Sequence, residues 1–234
     1  MKRIGILGGL GPESTVDYYK EIIGAFNTRY TELAYPEIII FSANLNQFLC
    51  YVEAGNWQGL GEMLLEKIAS LHRAGAEFVA IASNTPHVVF DEINARSPVP
   101  LLSIVEETCA KAQEMGLHKI GLMGTKFTME GNFYQKPLVA RGMELVVPHA
   151  AEQQIIQHRL FSEIELGIIK DSTRAEFLAI VKRMIDQDGI DSLILGCTEL
   201  PLILTESMYG IPFLNTAAIY CEGIIRHCLD TQAG

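Results

Sequence analysis

Several classes of protein are excluded by what this chain lacks. No uninterrupted apolar run reaches the ~18 residues of a membrane-spanning helix, so no membrane segment is expected. No run of Lys and Arg stands out, and the formal net charge is -10 with a pI near 5.1. Nucleic acid and anionic membrane surfaces are therefore poor partners. The first residues, Met1 to Leu7, carry two basic side chains but pass straight into a strand-like run and a glycine turn. They do not read as a signal peptide, and a cytoplasmic location is expected. Five cysteines (Cys50, Cys109, Cys197, Cys221, Cys228) form no CxxC pair and are odd in number. That fits reduced thiols rather than a disulfide framework. The six histidines show no HxH, HExxH or His/Cys spacing, so no metal centre is expected.

What the chain does have is an apolar fraction of 49% over 234 residues, enough for a substantial core. Strand-like runs at 3–7, 37–43, 78–82 and 99–104 alternate with helical patterns. The alternation restarts after 104, with strands at 119–123, 144–147, 192–195 and within 208–215. Helical patterns in this half include 129–141, 153–169 and 174–188. Strands alternating with helices predict βαβ units and mostly parallel sheets. A faint repeat overlays "IGILGGLGPESTVDYY" (4–19) on "IGLMGTKFTMEGNFY" (120–134), matching Ile4, Gly5, Gly8 and Tyr18 to Ile120, Gly121, Gly124 and Tyr134. The expected organisation is two similar α/β domains, one of residues 1–104 plus 212–234 and one of 105–211.

Four segments at predicted strand ends carry polar or reactive residues. Ligands of open α/β sheets bind at the carboxyl ends of strands. "GGLGP" (8–12) offers Gly9 and Gly11 where a backbone could approach a carboxylate at a helix start; a plain βα turn explains it equally well. "SNTPH" (83–87) supplies Asn84 and Thr85 as donors, whereas His87 reads as structural. "GTKFTME" (124–130) offers Thr125 and Thr128, either of which could instead be a helix cap. "GCTE" (196–199) places Cys197 at the predicted start of a helix, where the dipole would lower the thiol pKa. The alternative is an inert buried thiol, which is the reading adopted for the other four cysteines.

Together these motifs resemble the aspartate/glutamate racemase family. "GGLGPEST", "SNTPH", "GLMGTKFTMEGNFY" and "GCTEL" carry the resemblance across nearly the whole chain. It implies two similar α/β domains with the active site in the cleft between them, a homodimer, and no cofactor. It also implies two cysteines that exchange protons on opposite faces of the substrate α-carbon. Asn84, Thr85, Thr125 and Thr198 match positions that hold the carboxylate as charge develops on it.

The departures are specific. Ser83 stands where the first cysteine belongs, and a serine hydroxyl is a poor base near neutral pH without an activator. It is either a natural one-thiol arrangement or an engineered Cys→Ser replacement. Gln47 and Glu165 fall near positions that are basic in members specific for acidic amino acids; Lys126, Arg159 and Lys170 stand as candidate substitutes. Asn215 replaces a common Asp. The leading expectation is cofactor-independent racemisation of an amino acid, aspartate or glutamate first, with Cys197 and Ser83 as the catalytic pair. The remaining readings are a one-cysteine decarboxylase or isomerase of a small carboxylic acid, and a non-catalytic carboxylate-binding relative.

Overall fold

The computed structural model describes residues 1–29, 33–205 and 207–230, apart from the side chain of Arg29. The chain divides into two compact units, residues 1–104 with 217–234, and residues 105–216. Each is built on a four-stranded parallel sheet with helices.

The first sheet comprises β1 (Ile4–Gly8), β2 (Ile38–Ser42), β3 (Phe78–Ile81) and β4 (Leu101–Leu102), in the order β2-β1-β3-β4. The second comprises β5 (Lys119–Met123), β6 (Glu144–Val146), β7 (Ser192–Leu195) and β8 (Phe213–Asn215), in the order β6-β5-β7-β8. The order is the same in both. β1, β3 and β7 are buried along their whole length, which is why they read as continuous apolar runs rather than alternating ones.

The repeat is also visible in register. Gly5 pairs with Ile39 and Val79, and Gly121 pairs with Val146 and Leu193. A Cβ on Gly5 would meet Ala76 at 2.8 Å and Val79 at 2.9 Å, and one on Gly121 would meet Ile190 at 2.8 Å and Leu193 at 3.1 Å. Both glycines are thus required by neighbours in matching places. Tyr18 and Tyr134, the far ends of the overlay, are both fully buried.

Helices α1 (Pro12–Arg29), α2 (Leu45–Glu53), α3 (Trp57–Arg73), α4 (Phe90–Arg96) and α5 (Ile104–Glu114) follow in order. α3 shows how the sequence encodes them. Asn56 caps it by accepting from the Gly59 N–H at 2.9 Å. Leu60, Leu64, Ile68 and Leu71 form its buried stripe, each contributing roughly 2 kcal/mol on burial. His72 and Arg73 close its last turn, and Gly75 leaves it at φ +103.

Helices α6 (Lys126–Glu130), α7 (Gln135–Ala140), α8 (Ala150–Ser162), α9 (Asp171–Arg183) and α10 (Thr216–Leu229) complete the set. Among the described residues no helix is long and apolar enough to cross a membrane.

Five local expectations need correction. The strand expected over 99–104 shrinks to two residues, because Pro100 lacks an N–H and Ile104 already starts α5. The helix expected over 129–141 breaks at Gly131, whose backbone is extended and crowded against Phe133 and the Phe127 carbonyl. α2 lay in a stretch given no element, and it places Cys50 and Gln47 on a helix. β8, which the sequence grouped with residues 212–234, hydrogen-bonds to β7 in the second sheet.

The helix expected over 153–169, α8, ends at Ser162. The buried Glu163 carboxylate accepts from Thr173 Oγ1 at 2.5 Å, Arg159 at 2.9 Å and Lys170 at 3.0 Å. Glu163 turns to φ -134, a single 3₁₀ turn follows at Ile164–Leu166, and Gly167 exits in the left-handed region. That turn carries Glu165.

Candidate active site

In the first unit, β1 ends at a loop held from within. Gly9 sits at φ +78, where a Cβ would collide with the Ala43 backbone. Its N–H donates to Thr15 Oγ1 at 2.9 Å, and Ser14 Oγ and Thr15 Oγ1 both donate to the Gly11 carbonyl at 2.9 Å. The Gly9 amide is therefore engaged by the fold, and its glycine identity follows from backbone conformation. Gln47 lies exposed in the first turn of α2, its N–H on the Asn44 cap.

Two residues after β3 stands Ser83, half-buried, with its N–H bonded to the Ile81 carbonyl at 2.8 Å. Asn84 is buried and its carbonyl accepts the His87 N–H at 3.0 Å. Thr85 opens the 3₁₀ turn Thr85–Val89 and is half-buried. His87 is structural, as read. The Ile104 N–H donates to Nε2 at 3.3 Å, so Nδ1 carries the proton and donates to the Ser83 carbonyl at 3.1 Å. Burial pushes its pKa down to about 4, with the backbone bonds at Ser83 and Asn84 opposing. The ring stays neutral and ties the Ser83 loop to the start of α5.

In the second unit, Thr125 is the cap of α6, its Oγ1 accepting from the Thr128 N–H at 3.3 Å. Thr128 is fully buried, and it fills the space left by two glycines: a Cβ on Gly124 or Gly196 would meet it at 3.2 Å or 3.0 Å. β7 is followed by Gly196, whose N–H reaches the Met123 carbonyl at 2.7 Å, and Thr216 Oγ1 donates to the Leu195 carbonyl at 2.9 Å. These bonds fix the backbone just before Cys197.

Cys197 Sγ donates to Glu199 Oε2 at 3.0 Å, and Glu165 Oε1 lies 3.8 Å from the same sulfur. Thr198 Oγ1 also donates to Glu199 Oε2, at 2.8 Å. Cys197 and Glu199 are buried, and Glu165 is partly so. Burial and then Glu199 push the Glu165 carboxyl up to about 7. Burial, Glu199 and Glu165 together push the Cys197 thiol well above its ordinary value. The expectation of a lowered pKa is overturned. Only a three-residue 3₁₀ turn, Leu200–Leu202, follows the motif, so no helix dipole develops, and two carboxylates stand beside the sulfur.

The cations named as substitutes are committed elsewhere. Lys126 pairs with Glu130, Arg159 with Glu163 and Glu176, and Lys170 with Glu163. Glu165, Cys197 and Glu199 are also the described residues best able to hold a cation, their donor atoms lying within 4.8 Å of one another. The thiol would have to ionise to bind a metal, which its surroundings oppose. Sequence reasoning gave Glu199 no role and read Glu165 only as a departure. The signal for Glu199 was its position two residues after a strand-end cysteine; Glu165 had none, because a helix was expected there.

A family model described as Asp/Glu/Hydantoin racemase matches residues 7–223. The broad specificity amino-acid racemase RacX of Bacillus subtilis is 27% identical, over 98% of this chain and 100% of its own. The crystal structure of an aspartate racemase homologue from Pyrococcus horikoshii is 36% identical with a TM-score of 0.85, covering 97% of this chain and 99% of that one. An aspartate racemase structure from Picrophilus torridus shares the fold with a TM-score of 0.76 at 21% identity, covering 97% and 94% of the two chains.

Proposed function

The chain belongs to the Asp/Glu/Hydantoin racemase family, and from that premise we propose that it racemises an amino acid without a cofactor, using Cys197 as the acid/base on one face of the α-carbon. Membership supports amino-acid racemisation as the activity. The observation that carries the proposal to a residue is Cys197 itself: a buried thiol at the end of β7, hydrogen-bonded to one carboxylate and beside a second.

Those carboxylates define how the thiol works. It rests protonated. To remove an α-proton it first gives its own proton to Glu199 or Glu165, an exchange that leaves the total charge of the group unchanged and so avoids a further burial penalty. Ser83 takes the second cysteine's part in this proposal. Its hydroxyl can deliver a proton to a carbanion but is a poor base. Exchange of the α-proton is therefore fastest for the enantiomer whose α-hydrogen faces Cys197, while net racemisation is slowed equally in both directions. Asn84 and Thr85 remain the proposed carboxylate donors; the Thr198 hydroxyl is already donated to Glu199.

Exchange of the α-proton in D₂O, followed by NMR for each enantiomer of a panel of amino acids, tests this. Because one relative is named for broad specificity, the panel extends beyond aspartate and glutamate. One enantiomer should exchange, and Cys197→Ala should reduce that rate at least 10³-fold. Ser83→Cys should add exchange from the opposite enantiomer. Exchange from neither enantiomer of any amino acid ends the racemase reading.

A further inference from the structure

Glu163 and Glu165 lie two residues apart in one turn, yet they are treated in opposite ways. Glu163 receives Arg159, Lys170 and Thr173. Glu165 is directed at Cys197 and Glu199. Among the described residues, neither Glu165 nor Glu199 has a Lys, Arg or His within ion-pair distance. The two nearest cations in the sequence, Arg159 and Lys170, are both used on Glu163. Among the described residues, the carboxylates around the proposed acid/base thus have hydrogen-bond donors but no paired cation. A substrate with an anionic side chain would bring a further negative charge into a partly desolvated place.

Resting on the reading that Cys197 is the acid/base, we infer that the substrate is an amino acid with a cationic side chain, of the diamino monocarboxylic class, and that Glu165 is the residue selecting that charge. Every amino acid brings one α-ammonium, balanced by its own α-carboxylate. Only a second ammonium offsets the charge of the Glu165 and Glu199 pair. The titratable groups facing Glu165 are Cys197 and Glu199. Burial and the Glu199 charge outweigh a favourable hydrogen bond from Cys197 and so disfavour ionisation of Glu165. A bound ammonium reverses that, so the selection strengthens as Glu165 ionises with rising pH.

The test compares lysine, ornithine, glutamate and norleucine, the last a neutral relative of lysine with nearly the same shape. For α-proton exchange at pH 8, kcat/KM should be at least tenfold higher for lysine than for norleucine, and lowest for glutamate. The lysine-to-norleucine ratio should approach one in Glu165→Gln. In the unaltered protein it should fall as pH drops from 8 to 5.5, an arm that stands even if the variant does not fold. Glutamate turning over as well as lysine, or a ratio unmoved by both the variant and pH, overturns the inference. Thermal stabilisation by each amino acid supplies a readout without turnover. Absence of all exchange ends the racemase reading alone; stabilisation by glutamate or norleucine equal to that by lysine ends the charge selection.

Discussion

The Cys197 sulfur lies 3.0 Å from one carboxylate oxygen and 3.8 Å from another, and its ionisation is opposed first by burial and then by that charge. Removing the Glu199 charge should therefore lower the thiol pKa. In Glu199→Gln the thiolate absorbance near 240 nm should titrate at lower pH, and alkylation at pH 8 should quicken about tenfold or more. An unchanged titration would mean that burial alone holds the proton. His87 is the second informative residue. Its folded pKa of about 4 lies below the ordinary 6.5, so the unfolded chain binds more protons between those values. Its contribution is fully present above pH 6.5 and lost as pH falls toward 4, on the order of 2 kcal/mol by pH 4.5. Replacing His87 with Gln should flatten the pH dependence of stability, measured by urea unfolding, by about that amount.

The loop after β1 and the turn after α8 do their work through backbone geometry. Gly9 and Gly142 are both left-handed, at φ +78 and +75, but only Gly9 is crowded; nothing lies within 4 Å of a Cβ on Gly142. Gly142→Ala should cost about 1 kcal/mol, the penalty of the left-handed region alone. Gly9→Ala should cost more than about 2 kcal/mol, since the Ala43 backbone must also move. Equal losses in denaturant unfolding would show that the crowding is relieved freely. The turn after α8 depends on Glu163. Glu163→Ala removes the acceptor shared by Arg159, Lys170 and Thr173, and Glu165 should then move away from Cys197. Alkylation of the thiol should speed up although the substitution lies outside the Cys197 group.

Across the whole molecule, the cysteines divide by burial. Cys50 is exposed on α2, whereas Cys109, Cys197, Cys221 and Cys228 are buried. Burial pushes the Cys109 thiol up to about 12 and raises those of Cys221 and Cys228 as well. Of the five thiols, one should react quickly with an aromatic disulfide reagent in the native protein, and all five after denaturation. A fast second thiol would place Cys197 in a more open setting than its burial indicates. The fold was legible at this scale. β5 and β7 lie where their apolar runs predict, and the two matched sheets account for the faint repeat at Gly5 and Gly121. Helix ends were less legible, because Gly131 and Glu163 stop their helices through side-chain crowding and an ion cluster, neither of which shows in hydrophobic periodicity.

The sequence by itself determined the alternation of strand and helix, the family, and the motifs at the strand ends, because period, glycine placement and residue type are local properties. It also marked Cys197 and Ser83 as an unequal pair. Only the tertiary structure decided the charge state of that cysteine. A thiol pKa depends on which groups come within a few ångströms, and Glu165, 32 residues earlier in the chain, comes beside Cys197 from the turn that follows α8.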